Sequence, residues 1–273
     1  MSQPPVLVIG STGKTGRRIV HRLAERGHPV KGVSRRSDPP FDWQEPSTWS
    51  AALRGAGSVY VSFFPDLAVP GARDAIEALA SCAARAGVER LVLLSGRGEA
   101  GAQLCEAIVR DSGLDHTIIQ ASWFSQNFTE GHLLRPVLDG VIALPVGDAV
   151  EPIVDADDIA DVAVAALTEE RHSGRTYELT GPRLLTFAEV AAEISKAARR
   201  TVEYLPISPG QFHAALTQEM GPETAGLLTD LCAEMSDGRN ASLGHGVREA
   251  LGREPRDFGD FCSAAAASGV WEP

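Results

Sequence analysis

Short apolar runs alternate along this chain with longer stretches in which apolar residues recur every three or four positions. Val6-Leu7-Val8-Ile9 is the first such run, and others at 29–34, 58–63, 90–94 and 116–120 also read as strands, the last two closing on Ser95 and Gln120. Between them, 17–26, 69–85 and 99–111 carry the helical period, with a shorter helix over 47–53 and an extended piece at Phe41-Asp42-Trp43. Strand and helix in alternation with short connections predict a parallel sheet wrapped on both faces. Farther on, the pattern predicts helices over 155–167, with Asp155 as N-cap, and 187–199, a strand over 202–205, and helices over 211–219 and 222–235. The last of these puts Leu227, Leu228, Leu231, Cys232 and Met235 on one broad face, which reads either as core or as a roof over a ligand. Asp237-Gly238 and 244–246 read as turns suited to the hinges of a lid.

Chemistry enters where the first strand ends. Gly10-Ser11-Thr12-Gly13-Lys14-Thr15-Gly16 joins that strand to an arginine-rich helix start. The G-x-x-G-x-x-G spacing lets the backbone turn at Gly10, brings a pyrophosphate against main-chain N–H groups at Gly13, and lets the helix pack closely on the strand at Gly16. A dinucleotide site is expected here, because strand and helix flank the glycines in the required order. The end of the second strand then selects the dinucleotide. An NAD site places an acid on the ribose hydroxyls at this point, whereas this chain has Ser34-Arg35-Arg36. A guanidinium pairs with a ribose 2′-phosphate through forked, charge-assisted hydrogen bonds, so NADP(H) is the expected cofactor. The expected architecture is α/β: a Rossmann-type doubly wound parallel sheet over 1–150 binding NADP(H), and a smaller, mainly helical lobe over 151–273 that completes the fold and holds substrate.

Composition narrows the function classes. The 273 residues include 44% hydrophobic and 22% charged positions, ordinary for a globular protein. A net charge of −11 argues against a nucleic-acid surface and permits a cationic small-molecule substrate. No apolar run approaches the ~20 residues of a membrane span, and Met1-Ser2-Gln3-Pro4-Pro5 is too short and polar for a signal sequence, so a cytoplasmic protein is expected. Cys82, Cys105, Cys232 and Cys262 form no C-x-x-C pair and read as buried thiols; the seven histidines form no metal-like cluster, so no metal is expected.

In a doubly wound sheet, ligands collect at the carboxyl ends of the strands. Those ends supply the rest of the candidate cofactor site: Ser62, Phe63 and Phe64, then Ser95 and Gly96, then Gln120, Ala121 and Ser122, with Asp42 placed to receive the adenine amino group. Trp123, Phe124 and Asn127 follow as candidate substrate-pocket residues, joined by Leu228 and Met235 from the later helix. Phe63, Trp123 and Phe124 serve equally well as core packing. Asp66, just past the third strand, is the acid expected to face the cavity; a solvated loop carboxylate is the alternative.

These segments resemble the NmrA-like, atypical short-chain dehydrogenase/reductase family over nearly the whole chain. The resemblance rests on Gly10 to Arg17, on Val33-Ser34-Arg35, and on the stretch from Ser112 to Phe128. Within the family, Phe41-Asp42-Trp43 with Thr48-Trp49, Pro152 to Ala160, Leu179-Thr180-Gly181-Pro182 through Phe187-Ala188-Glu189-Val190, and Pro255 to Phe261 are most similar to the ergot-alkaloid reductase type. Gln120 departs from the pattern, since many relatives carry Arg there. Most short-chain dehydrogenases use Tyr-x-x-x-Lys to protonate the alkoxide left by hydride addition. Here Tyr60, Tyr177 and Tyr204 are followed four positions on by Phe64, Gly181 and Ser208, and the only lysines are Lys14, Lys31 and Lys196. Two expectations survive. One is NADPH-dependent hydride delivery to an electrophile that is already activated, such as an imine or iminium, with quinone or azo reduction as a variant. The other is an NADP(H)-sensing regulator of the NmrA type.

Overall fold

The structure is a computed structural model, described over residues 4–272. Contacts divide it into two compact units. The first comprises the chain up to Ala121 together with Ala156–Leu179 and Gly244–Arg253; the second comprises Ser122–Asp155, Thr180–Leu243 and the chain from Glu254 onward. The chain therefore crosses from one unit to the other several times, and part of the sequence beyond residue 150 belongs with the first unit.

The first unit is built on β1 (Val6–Ile9), β2 (Val30–Val33), β3 (Ser58–Val61), β4 (Arg90–Gly96) and β5 (Asp115–Ala121), joined by α1 (Lys14–Glu25), α2 (Trp49–Leu53), α3 (Ala72–Arg85) and α4 (Ala100–Asp111). The strands lie in the order β2-β1-β3-β4-β5, with Arg175–Leu179 added beyond β5, and every pairing is parallel. Helices flank this sheet in a Rossmann-like arrangement. All four β1 residues are buried, as a strand covered on both faces requires. Successive side chains point to opposite faces. Leu7, Ile9, Val59, Val61, Leu91, Leu93 and Ile118 accordingly share one apolar cluster with residues of α2, α3 and α4. Tyr60, of the opposite parity, reaches α1 instead.

The strand Arg175–Leu179 was not expected from the sequence. Arg175, Thr176 and Glu178 are exposed, so only Tyr177 and Leu179 carry an apolar signal. Glycines at 244 and 246, expected as hinges, have another role. A Cβ on either would lie 2.5 or 2.6 Å from the Glu178 carbonyl oxygen, so both are close-packing positions along this strand.

The second unit is helical with two small sheets. Phe187–Ala198 and Pro209–Met220 both open with capping boxes, Thr186 with Glu189 and Ser208 with Gln211, the S/T-x-x-E/Q signature of a helix start. Val141–Leu144 pairs in parallel with Glu203–Pro206, and Val150–Glu151 pairs antiparallel with Leu185–Thr186. Its core gathers Phe128, Phe187, Phe258 and Trp271 with aliphatic neighbours. All four cysteines are buried and free. Among the described residues, no helix is long and apolar enough to cross a membrane, and no group of three or more His, Cys, Asp or Glu could hold a metal ion. Of the Met1–Pro5 segment judged for a signal sequence, Met1, Ser2 and Gln3 lie outside the described residues.

Candidate cofactor and active site

β1 runs into the glycine turn, whose geometry assigns each glycine a task. Gly10 has φ +76°, the left-handed region that favours a residue without Cβ. The Gly13 N–H donates to the Gly10 carbonyl at 2.9 Å. A Cβ on Gly16 would stand 2.2 Å from that same carbonyl oxygen, so Gly16 is what allows α1 to seat on the turn. The Gly10 and Ser11 N–H groups both donate to the Val33 carbonyl of β2, and the Ser11 hydroxyl does the same at 3.2 Å. Thr15 is buried and accepts the Tyr60 hydroxyl at 2.9 Å. Gly13, as N-cap of α1, offers no side-chain acceptor, and the first turn holds no acid. The positive end of the helix, with first-turn N–H groups such as those of Thr15 and Gly16, is therefore a candidate anion seat that neither a capping side chain nor a first-turn acid occupies. The exposed Thr12 and half-buried Lys14 border it.

β1 has β2 on one side and β3 on the other, although β2 follows it and β3 comes later, so this is the point where the strand order reverses. At the end of β2, Ser34 closes a turn: its N–H donates to the Ser37 hydroxyl, and its own hydroxyl accepts from the Arg36 N–H. Arg35 and Arg36 project from that turn and are exposed. The Arg35 guanidinium carbon stands 5.8 Å from the Phe64 ring centroid.

Phe41-Asp42-Trp43, expected as an extended piece, is a tight turn in which Asp42 bridges to Glu45. Asp42 Oδ1 accepts the Gln44 N–H, and its carbonyl accepts the Trp49 indole N–H at 2.7 Å. Trp43 donates to the Ser62 carbonyl and lies 4.6 Å, centroid to centroid, from Phe63. Phe41 and Trp49 stack behind it at 5.8 Å. An aromatic wall, already closed by the protein's own hydrogen bonds, thus lines the ends of β2 and β3. Past β3, Asp66 is half-buried, and its Oδ1 accepts the Ala68 N–H at 2.8 Å, turning the loop toward α3.

Ser95 and Gln120 are brought together, around a residue that the sequence reading did not single out. Both point to the α4 face. Ser95 Oγ donates to Glu106 Oε1 at 2.6 Å, and Gln120 Nε2 lies 2.9 Å from both Glu106 oxygens. Arg110, one turn along, donates to Oε2 at 2.9 Å. The signal for Glu106 was available, because it shares with Ala102, Cys105 and Val109 the buried stripe of α4. Gly96 has the Glu99 carboxylate folded over it, where a Cβ would lie 2.0 Å away. Arg97 is 8% exposed and donates its N–H to the Ala121 carbonyl.

In the second unit, Ser122 is buried with its hydroxyl on the Pro152 carbonyl. Trp123 is half-buried, edge-on to His132 and Phe187 with centroids 6.1 and 5.9 Å away. Phe124 bridges to Val154, and Asn127 opens the short helix Asn127–Glu130. Leu228 packs at the margin of this unit's core, and Met235, 1% exposed, lies inside it.

Each tyrosine hydroxyl has a structural partner. Tyr60 is on Thr15, Tyr177 lies 2.8 Å from Nδ1 of the buried His172, and Tyr204 donates to the Gly147 carbonyl at 2.9 Å. Burial raises the pKa of all three above the ordinary phenol value.

Residues 10–170 match the sequence model of a protein family described as NAD(P)H-binding. The chain is 33% identical to the NAD(P)H azoreductase of Xenophilus azovorans, over 96% of this chain and 98% of that one. It is 27% identical to the agroclavine dehydrogenase of Claviceps fusiformis, over 94% and 96% respectively. Among solved structures, that of NmrA, a negative transcriptional regulator in complex with NAD, superposes with a TM-score of 0.73 at 16% identity and covers 98% of both chains. That likeness is one of fold.

Proposed function

Since the chain belongs to the NAD(P)H-binding family, we propose that it is an NADPH-dependent reductase delivering hydride to an imine, an iminium or a comparably activated small molecule. The glycine turn and the uncapped start of α1 are read as the pyrophosphate seat, and Arg35 as the ligand of the ribose 2′-phosphate. The observation that carries the choice of substrate is the engagement of all three tyrosine hydroxyls within the fold. Hydride addition to an iminium forms a C–H bond, moves the π pair onto nitrogen and leaves a neutral amine, so no acid is required; a neutral imine enters the same route once its nitrogen has taken a proton from solvent. A ketone would become an alkoxide and need one. The nicotinamide supplies the hydride, and the chain's task is orientation and tolerance of positive charge. Asp66 is proposed as the cation-stabilising carboxylate; one of its oxygens serves the turn.

Azo reduction is a second reading, favoured by the azoreductase at 33% identity. It adds hydride to one nitrogen and a proton to the other, so it calls for a proton from solvent or a side chain. NADPH oxidation by purified protein, followed by stopped flow over cyclic imines, iminium salts, azo dyes, quinones and ketones, tests these readings. Imine and iminium turnover well above that of ketones is expected, with Asp66→Asn slowing it about tenfold for each ~1.4 kcal/mol of lost stabilisation. Dominant azo turnover moves the assignment to the second reading. Tight NADPH binding with no oxidation by any electrophile moves it to a cofactor-sensing regulator.

A further inference from the structure

Phe64 is the most exposed large apolar side chain among the described residues, at 67%. Core packing does not account for it, because its neighbour Phe63 takes that part, lying against Trp43 and the apolar cluster of the first unit. What Phe64 does hold is a cation, the Arg35 guanidinium 5.8 Å from its ring centroid. Arg35 has no ion pair or side-chain hydrogen bond among the described residues. The two residues come from the ends of β2 and β3, which flank β1 and its glycine turn.

An arginine side chain has many rotamers, and ordering it on a ligand is unfavourable unless something restricts it beforehand. A guanidinium drawn to an aromatic face is restricted in that way, while its N–H edges remain available for forked hydrogen bonds. We infer that Phe64 is a specificity-determining positioning residue, holding Arg35 ready for a ribose 2′-phosphate and thereby setting the preference for NADPH over NADH. This rests on the cofactor reading above and gives Phe64, so far only a strand-end candidate, a definite part in it. NADPH and NADH differ only by that phosphate, so a residue acting through Arg35 alters affinity for one and leaves the other alone.

Calorimetric titration with NADPH, NADH, adenosine 2′,5′-bisphosphate and 5′-AMP tests this on the unmodified protein, Phe64→Leu, Phe64→Tyr, Arg35→Ala and the Arg35→Ala/Phe64→Leu double variant. Phe64→Leu is expected to weaken the two 2′-phosphorylated ligands about two- to fivefold, the range of an exposed cation–π contact, with NADH and AMP unchanged. Phe64→Tyr should keep the selectivity, and the double variant should match Arg35→Ala alone. Loss of all four ligands in equal measure, or undiminished selectivity in Phe64→Leu, overturns the inference while leaving Arg35 in place. Bisphosphate affinity that survives Arg35→Ala overturns the cofactor reading itself, and this inference with it.

Discussion

Glu106 and His172 are each only 1% exposed, and they meet the problem of a buried ionisable group in opposite ways. Glu106 is surrounded by donors from Ser95, Gln120 and Arg110, as a buried carboxylate requires. His172 sits beside the Tyr177 hydroxyl, and burial, reinforced by the charge of Arg171, lowers its pKa despite the Glu169 carboxylate 3.7 Å from Nε2. The neutral imidazole is therefore favoured in the folded chain. The unfolded state takes up a proton near the ordinary value of about 6.5, so below that pH it binds more protons than the folded state and gains stability relative to it. Stability should be full above about pH 6.5 and fall as the pH drops toward the lowered folded pKa. His172→Gln, which keeps a polar partner for Tyr177, should flatten that decline. Urea unfolding curves at several pH values between about 5 and 8 would show it, and identical pH profiles for the two proteins would refute it.

At the scale of the element, β1, its turn and α1 were legible because three signals agreed: an apolar run, glycines at fixed spacing, and a helix period. The structure then divides the labour among those glycines. Gly13 has ordinary extended φ and ψ as N-cap, and a Cβ there would lie 3.2 Å from the Gly10 carbonyl oxygen, a tight but adjustable approach. Gly16 leaves 2.2 Å, too little for any Cβ. Gly13→Val is therefore expected to leave far-UV circular dichroism and Tm nearly unchanged while abolishing NADPH binding, and Gly16→Ala to lower Tm as α1 is pushed from its seat. A Gly13→Val protein that still binds NADPH normally would place the phosphate elsewhere. Elements with one weak signal were missed. Val141–Leu144 is four residues long, too short for its period to separate strand from helix. Arg175–Leu179 has only two inward apolar positions. Proximity to a strand end also proved an incomplete guide to side-chain direction: Ser95 and Gln120 turn to Glu106 under α4 because parity, not position along the strand, sets the face.

Across the whole molecule, the chemistry turns on where protons can come from. The chain has three tyrosines, two in the first unit and one in the second. Each hydroxyl is hydrogen-bonded within its own unit, and burial holds each pKa above the phenol value, which disfavours the phenolate that a tyrosine acid must become. A reaction that ends in a neutral product without an acid suits such a protein. Replacing Tyr60, Tyr177 or Tyr204 by Phe should then leave iminium reduction within about twofold of the unmodified rate, a change below ~0.5 kcal/mol in the barrier. Tyr60→Phe is expected to lower stability by about 1 kcal/mol, because the buried Thr15 hydroxyl loses its partner. The same three variants on ketones provide the counter-test. If the unmodified protein reduces a ketone and one Tyr→Phe change removes that activity while iminium turnover persists, that tyrosine is the proton donor after all, and the reading of its hydrogen bond as purely structural is wrong.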